Sequence, residues 1–437
     1  MRPTARTIAW LAAGVPAALA TAVVDGRLWP LWLVALFGVV LAAGIDAVLG
    51  LPRRRLGLSL DAPAELFIGG HGQATLTAVG RGWRRRLAIQ AVVELDALMT
   101  PVPPLAIDLD ATGAGTATIE LVPRRRGASA IAAVHARWTG PLGLVERRTI
   151  VPLGAVVKVV PNVASVRAIA LRMFGSAEFL AGLKVERFLG DGTEFESLRE
   201  YQPGLDHRAI DWKASARHRK LLTTEFRAER NHQVVLAIDG GQLMAEPLGG
   251  IPRLDHAINA SLLLGWFCLR TGDRVGWASF DERLQAWAEP MSGAGAFPRL
   301  RHLSAEVAYR PVETNFTLAI AELSTRLRRR SLIVLFTEVI DAISAELMVE
   351  NVTRLARRHL VMFVSLRDPG VEAQLRAVPA TLTAMTEAVV AADFDRERQV
   401  VLERLRHAGV HCIDTTPERF SMAVINRYLD VKRRELF

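Results

Sequence analysis

The chain reads as a multi-domain protein with three kinds of structure in succession: a hairpin of two apolar helices, a β-sandwich, and a C-terminal α/β domain with a mostly parallel sheet. Three observations predict this. Two long stretches almost free of charge open the sequence, and short alternating runs broken by Gly and Pro follow. From residue 231 onward, continuous apolar runs alternate with segments of helical period. At 437 residues there is room for two or three domains.

The first element covers residues 1–55. Residues 7–24 carry no charge, residues 28–51 carry only Asp46, and Asp25-Gly26-Arg27 forms the turn between them. A bilayer core takes about 20 apolar residues as a helix, so both stretches are expected to span a membrane. A carboxylate costs about 2.5–3.5 kcal/mol at mid-bilayer and less near an end, so Asp46 is expected to reach the interface. Arg2 and Arg6 precede the first stretch and Arg53, Arg54 and Arg55 follow the second, against Arg27 alone in the turn. Basic residues stay on the cytoplasmic side. The expectation is a multi-pass protein of the inner (plasma) membrane with both termini and the soluble domains cytoplasmic. Ala18-Leu19-Ala20 offers a signal-peptide alternative, but the second apolar stretch would still anchor the chain.

Residues 56–162 form the second element. Ala74–Val79, Leu87–Leu95, Thr116–Val122, Ala130–Trp138 and Ala155–Val160 read as strands of a small, immunoglobulin-like sandwich. They hold no catalytic constellation, so a spacer or protein-binding role is expected.

Residues 163–230 form a linker with one unusual run, residues 190–217. Glu194, Arg199, Glu200, Tyr201, Asp206, Arg208, Asp211, Trp212 and Arg217 lie within it. A solvated loop has no need of Tyr201 and Trp212, and a core strand has no use for the charges. The segment is therefore expected to lie pinned on a domain surface. Arg199, Arg208 and Arg217 would pair with Glu194, Glu200, Asp206 and Asp211, while Tyr201 and Trp212 are buried.

Residues 231–437 form the last element. Val234–Ile238, Arg274–Phe280, Leu332–Phe336, Leu360–Leu366 and Val410–Ile413 read as strands. Leu254–Leu269, Phe316–Leu327, Ala345–Arg357, Asp393–His407 and Phe420–Arg433 read as helices. Such alternation predicts a parallel sheet covered on both faces, with ligands at the carboxyl ends of its strands. Asp239 and Glu338 stand at two such ends.

Composition narrows function. Cys268 and Cys412 are far apart and form no C-x-x-C, which excludes a disulfide framework and a cysteine zinc site. The net charge is +9, with arginine clusters at 53–55, 84–86, 124–126 and 328–330. These read as solvated faces or as attraction to anionic lipid, and no motif supports nucleic-acid binding. Nucleophile elbows, phosphate loops and H-E-x-x-H are absent. His407 and His411 are four apart, but Gly409 interrupts them, so structural roles are expected.

The run at 190–217 resembles the signature of the bacterial family called domain of unknown function 58. Gly192, Glu194, Phe195, Leu198, Arg199, Tyr201, Pro203, Gly204, Asp206, Arg208, Ile210, Asp211, Trp212, Ser215, Ala216 and Arg217 fit its pattern. Leu205 replaces one of its paired acids. In the sandwich, Arg124-Arg125-Arg126-Gly127 and Gly140-Pro141-Leu142-Gly143-Leu144 look like two family turns, with Gly140 where the family usually has Asp. The resemblance implies a C-terminal domain like von Willebrand factor A. That fold's metal site uses D-x-S-x-S, a Thr and a further Asp. Asp239 keeps the first acid, Gly241 and Leu243 stand at the serines, Thr314 fits the threonine, and Glu338 stands in for the last Asp. Glycine and leucine side chains offer Mg²⁺ no oxygen, so the site is expected to be degenerate and no cofactor is expected.

The resemblance further implies pairing with a MoxR-type AAA+ ATPase. The expected function is a membrane-anchored, non-enzymatic adaptor for protein interaction, working with that ATPase in assembly or activation of other proteins. The signature segment would bind the partner or only brace the domains. The alternatives are a metal-dependent A-domain receptor and a scaffold on anionic lipid.

Overall fold

The computed structural model describes the chain except residues 25–28, 163–188, 202–209, 228–231, 294, 340–344 and 435–437. It divides into two compact units, Met1–Asn162 and Val163–Phe437.

The first unit begins with helices α1 (Ala5–Val24) and α2 (Trp29–Leu49). Trp32–Arg55, which takes in most of α2, is long and apolar enough to cross a membrane by length and composition. Nine strands complete the unit: β1 (Arg2–Pro3), β2 (Leu56–Asp61), β3 (Glu65–Phe67), β4 (Gly72–Gly80), β5 (Leu87–Leu95), β6 (Leu105–Leu109), β7 (Ala114–Leu121), β8 (Gly127–Thr139) and β9 (Val145–Val160). One sheet runs β1-β9-β8-β5-β6, with β3 joining β9 in parallel; the other runs β2-β4-β7. Burial alternates strictly along β4, where Ala74, Leu76 and Ala78 are buried, and on β5, where Ile89, Ala91 and Val93 are buried. A period of two with one buried face is what a β-sandwich requires. The strands expected from alternation are present: β5 has the expected bounds, β4, β8 and β9 extend beyond theirs, and β7 is shifted toward its start.

Asp46 lies three residues before the end of α2. It is fully buried at the end of α2, and its carboxylate is enclosed by the loop between β8 and β9. Oδ1 accepts from the Leu142 amide at 2.6 Å, and Oδ2 from the amides of Leu144 and Val145, both at 2.8 Å. Successive amides converging on one carboxylate replace its water shell. Gly140 makes the approach feasible, since a Cβ there would collide with all three carboxylate atoms. Arg147 takes the carbonyls that the helix end leaves open, donating to Leu51 O at 3.1 Å and to Ala47 O. Trp138 Nε1 also donates to Leu51 O, at 3.0 Å. The start of α1 is held by the same loop: Thr4 Oγ1 donates to Gly143 O at 2.8 Å and Thr7 Oγ1 to Leu144 O at 2.5 Å.

In the second unit, β10 (Leu189–Glu200) pairs antiparallel with β11 (Leu222–Arg227), and α3 (Trp212–His218) lies between them in sequence. The main sheet consists of β12 (Gln233–Asp239), β15 (Arg274–Phe280), β16 (Leu284–Met291), β17 (Leu332–Phe336), β18 (Leu360–Leu366) and β19 (His411–Thr415), in the order β16-β15-β12-β17-β18-β19. A small hairpin, β13 (Pro247–Leu248) and β14 (Ile251–Pro252), stands apart. All main-sheet pairings are parallel except the edge strand β16. In chain order this is 3-2-1-4-5-6, a doubly wound sheet whose direction of winding reverses between β12 and β17.

Helices α4 (Arg253–Arg270), α5 (Ala296–Glu306), α6 (Phe316–Arg326), α7 (Ala345–Ala356), α8 (Pro369–Arg376), α9 (Leu382–His407) and α10 (Pro417–Arg433) surround it. Successive residues of β12 point to opposite faces. Val234, Leu236 and Ile238 pack with α4 and α10, and Val235 and Ala237 pack with α6, α7 and α9. Both faces are dry, so the strands read as continuous apolar runs. Helix α9 begins eleven residues before the expected Asp393, where Thr381 caps it by accepting from Ala384 N at 3.1 Å.

Candidate functional site

The carboxyl edge of the main sheet gathers the charged residues of the second unit. Asp239 ends β12, Thr337 and Glu338 follow β17, Arg367 and Asp368 follow β18, and Asp414 lies near the end of β19. Apolar strands must end where the core ends, so polar residues collect there.

Asp239 is buried and fully committed. Oδ1 accepts from Thr314 Oγ1 at 2.6 Å and from Gly241 N at 2.9 Å, and Oδ2 accepts from Thr337 Oγ1 at 2.5 Å. Burial raises its pKa, the three hydrogen bonds pull it back, and nearby Asp281 adds to the rise. Gly241 is needed here. A Cβ at 241 would fall on Thr314 Oγ1 and within 3.2 Å of Asp239 Oδ1. The structure thus brings Asp239 and Thr314 together as acceptor and donor. Thr337, which the sequence reading did not single out, completes the set.

Glu338 is held by different partners. It pairs with Arg398 and, at 3.4 Å, with Arg253. Its oxygens also accept from Val339 N at 3.0 Å and Leu366 N at 3.3 Å. Arg398 reaches Asp414 at 2.8 Å, and Arg367 reaches the other oxygen of Asp414 at 2.8 Å. The result is a chain of alternating charge, Asp368–Arg253–Glu338–Arg398–Asp414–Arg367, in which Asp368 is the loosest member at 3.9 Å. Burial lowers the pKa of Arg398, but the charges of Glu338 and Asp414 more than reverse this and raise it. Burial raises that of Asp414, and Arg398 and Arg367 outweigh it, leaving its carboxyl below the ordinary range.

The donor set does not suit a divalent cation. Asp239 accepts three hydrogen bonds, and Glu338 is neutralised by two guanidiniums. Mg²⁺ demands six oxygens in tight octahedral order. Among the described residues, no group of three or more His, Cys, Asp or Glu is placed to hold a metal. Cys268 and Cys412 are both buried thiols.

A cavity of about 340 Å³ opens beside this chain of charges, walled by Leu243, Val339, Val371, Leu375 and Phe394. Next to Phe394, the first half of α9 leaves Leu382, Met385, Val389 and Val390 exposed.

The signature segment is arranged differently from expectation. Trp212 is 69% exposed, not buried: it is the first residue of α3, on the outside of its first turn. Among the described residues Asp211 pairs with no arginine; it caps α3, accepting from Ala214 N at 2.9 Å. Glu200 pairs with Lys220 at 3.7 Å on the surface, and Arg217 is exposed. Tyr201 is half-buried, and its amide donates to Leu221 O at 2.8 Å. Asp206 and Arg208 lie outside the described residues, as do the side chains of Glu194 and Arg199. What holds the described part is backbone pairing together with Ser215, whose Oγ accepts from Leu222 N at 2.8 Å.

Arg253, Arg398 and Asp414 were missed by sequence reading. The available signal was the recurrence of an acid at the end of a third apolar strand, β19.

Fold and edge define a doubly wound α/β domain whose strand ends are closed by internal charge pairing. Residues 197–409 match the model of the family described as "Protein of unknown function DUF58", and the chain is consistent with a member of that family. Among solved structures, the crystal structure of a CARDB domain from Pyrococcus furiosus, described as in complex with di-metal ions, shares 13% identity. It covers 24% of this chain and 87% of its own, with a TM-score of 0.18. A solution structure of that domain gives 12%, 24%, 94% and 0.17. Likeness at that level says nothing about what this chain binds. No curated protein matches the chain.

Proposed function

We propose that this chain is a membrane-anchored adaptor that binds a protein partner at the carboxyl edge of its C-terminal sheet. The observation that carries this is the set of exposed apolar residues on α9, Leu382, Met385, Val389, Val390 and Phe394, of which Phe394 also lines the cavity at that edge. Exposed apolar residues on a helix beside a pocket form a surface built to be covered. The second unit is read as a von Willebrand factor A-like domain in which the strand ends bind through shape and apolar contact, with the ionic groups of the edge turned to internal bracing. α1 and α2 are read as a two-span hairpin with both soluble regions cytoplasmic. Its partner is proposed to be a MoxR-type AAA+ ATPase, which would supply the hydrolysis for which this chain has no phosphate loop. The signature segment around Trp212, exposed as it is, would serve the same partner.

The test is co-purification from native membranes. Leu382→Ser/Met385→Ser is expected to keep the melting temperature and lose the ATPase. Retention of the ATPase by this variant would refute the reading. The exposed Arg53–Arg55 turn directly after α2 favours added contact with anionic lipid. This predicts liposome binding by the full chain that weakens with salt, and more so in wild type than in a variant with all three arginines changed to Gln.

A further inference from the structure

We infer that the cavity at the carboxyl edge takes the side chain of a lysine or arginine from a protein partner, with Glu246 and Asp395 receiving its charged head. The inference rests on the adaptor reading and adds the partner's chemistry.

The argument starts from charge pairing within the cavity wall. Four arginines line it, Arg253, Arg367, Arg376 and Arg398. Every one is in an ion pair: Arg253 and Arg398 with Glu338, Arg367 with Asp414, Arg376 with Glu372. Two lining carboxylates, Glu246 and Asp395, take part in no ion pair within 4.0 Å among the described residues, though Asp395 is near enough to Arg367 to favour its charge. The spare charge of the cavity is therefore negative, on a chain whose net charge is +9. The buried donor on these arginines that lacks a partner is Arg398 Nε. It is a single N–H on a guanidinium that already meets two carboxylates, so it offers an anion no net charge.

The apolar wall sets the other half of the ligand. Leu243, Val339, Val371, Leu375 and Phe394 suit a methylene stem, and Phe394 presents a ring to a cation. A volume of about 340 Å³ holds one long side chain and little more. Phe394 lines the cavity, and Val390, one turn before it on α9, continues its exposed apolar surface outward, so a partner segment seated there would present its basic residue at the mouth.

The experiment uses the full chain in detergent and ligand-observed saturation-transfer NMR. Agmatine stands in for an arginine side chain, and butyrate is the anionic counterpart. Agmatine is expected to bind and butyrate not to. Glu246→Gln/Asp395→Asn, which alters no ion pair described above, is expected to weaken agmatine by about tenfold, the loss of charge-assisted contact to the head. An amphipathic peptide of leucine and arginine is expected to displace agmatine. Leu382→Ser/Met385→Ser is expected to weaken the peptide and leave agmatine unchanged. Preference for butyrate, absence of agmatine binding, or agmatine binding unaffected by the double acid variant overturns the inference. Agmatine binding that the peptide does not displace also overturns it, since the site would then serve a free small cation. If the acid variant still co-purifies with the ATPase while agmatine fails to bind, this inference falls and the adaptor reading stands.

Discussion

Asp46 and Asp239 are both buried carboxylates at the end of a regular element, and the chain satisfies them in different ways. Asp46 draws only on backbone amides of one loop, Leu142, Leu144 and Val145. Asp239 draws on two threonine hydroxyls from separate loops and one amide. Glu338, beside it at the same sheet edge, draws on guanidiniums. Amides are fixed by the path of the chain, whereas hydroxyls and guanidiniums depend on which side chains are present. The comparison teaches that one junction is written in backbone geometry and the other in residue identity, so the two should break differently.

The largest effect is expected where side-chain charges carry the structure. Arg398→Met leaves Glu338 and Asp414 each short of a partner. It should cost about 3–5 kcal/mol, read from urea unfolding of the full chain. Asp46→Ala leaves three loop amides without their acceptor and should cost about 2–3 kcal/mol. Hydrogen exchange at Leu142, Leu144 and Val145 should speed up selectively. If those amides stay protected, the loop does not depend on the carboxylate. The glycines sharpen the contrast. Gly140→Ala places a methyl on the carboxylate of Asp46 and Gly241→Ala places one on Thr314 Oγ1; each should cost about 1–3 kcal/mol. Adding Asp46→Gly should relieve the first, and adding Thr314→Ala should relieve the second.

The smallest effect is a matter of pH. Burial holds the folded-state pKa of Asp239 above its unfolded value. The folded chain therefore holds this proton more tightly. The stability it contributes is complete below the ordinary carboxylate range and is lost as pH rises through the raised value. Asp414 runs the other way: its carboxyl is depressed, so its contribution is present above the ordinary range and lost as pH falls through the lowered value. Comparing the melting temperature of Asp239→Asn with wild type across mildly acidic to neutral pH should show a flatter profile in the variant. An unchanged slope would mean Asp239 titrates normally.

The strands of both units were legible because burial imposes simple periods. Alternation along β4 and β5 marks one dry face, and unbroken runs in β12, β17 and β18 mark two. Several elements of the second unit escaped, among them α5, although it buries Leu300 and Leu303. β16 is an edge strand with mixed burial, α8 buries no residue, and the first half of α9 turns its apolar residues outward. Periodicity reports burial, so elements that are not buried leave little trace. At the candidate site, Asp239, Thr314 and Glu338 were found because they follow apolar strands or fit a known spacing. Arg253, Arg398 and Asp414 were not, because their pairing spans from residue 253 to residue 414 and no local pattern announces it. Trp212 departs from expectation for a related reason: an aromatic among charges suggests a buried anchor, but it opens a helix whose cap is Asp211.

The grip of the β8–β9 loop on Asp46 has a mechanical consequence. Slippage of α2 along its axis would strip a buried carboxyl group of its described hydrogen bonds and strand three donors at once, so the loop must follow the helix. Since β9 continues directly from that loop and Arg147 clasps the final carbonyls of α2, any tilt imposed on the apolar helix arrives at the neighbouring strand as torque rather than being absorbed by a slack joint.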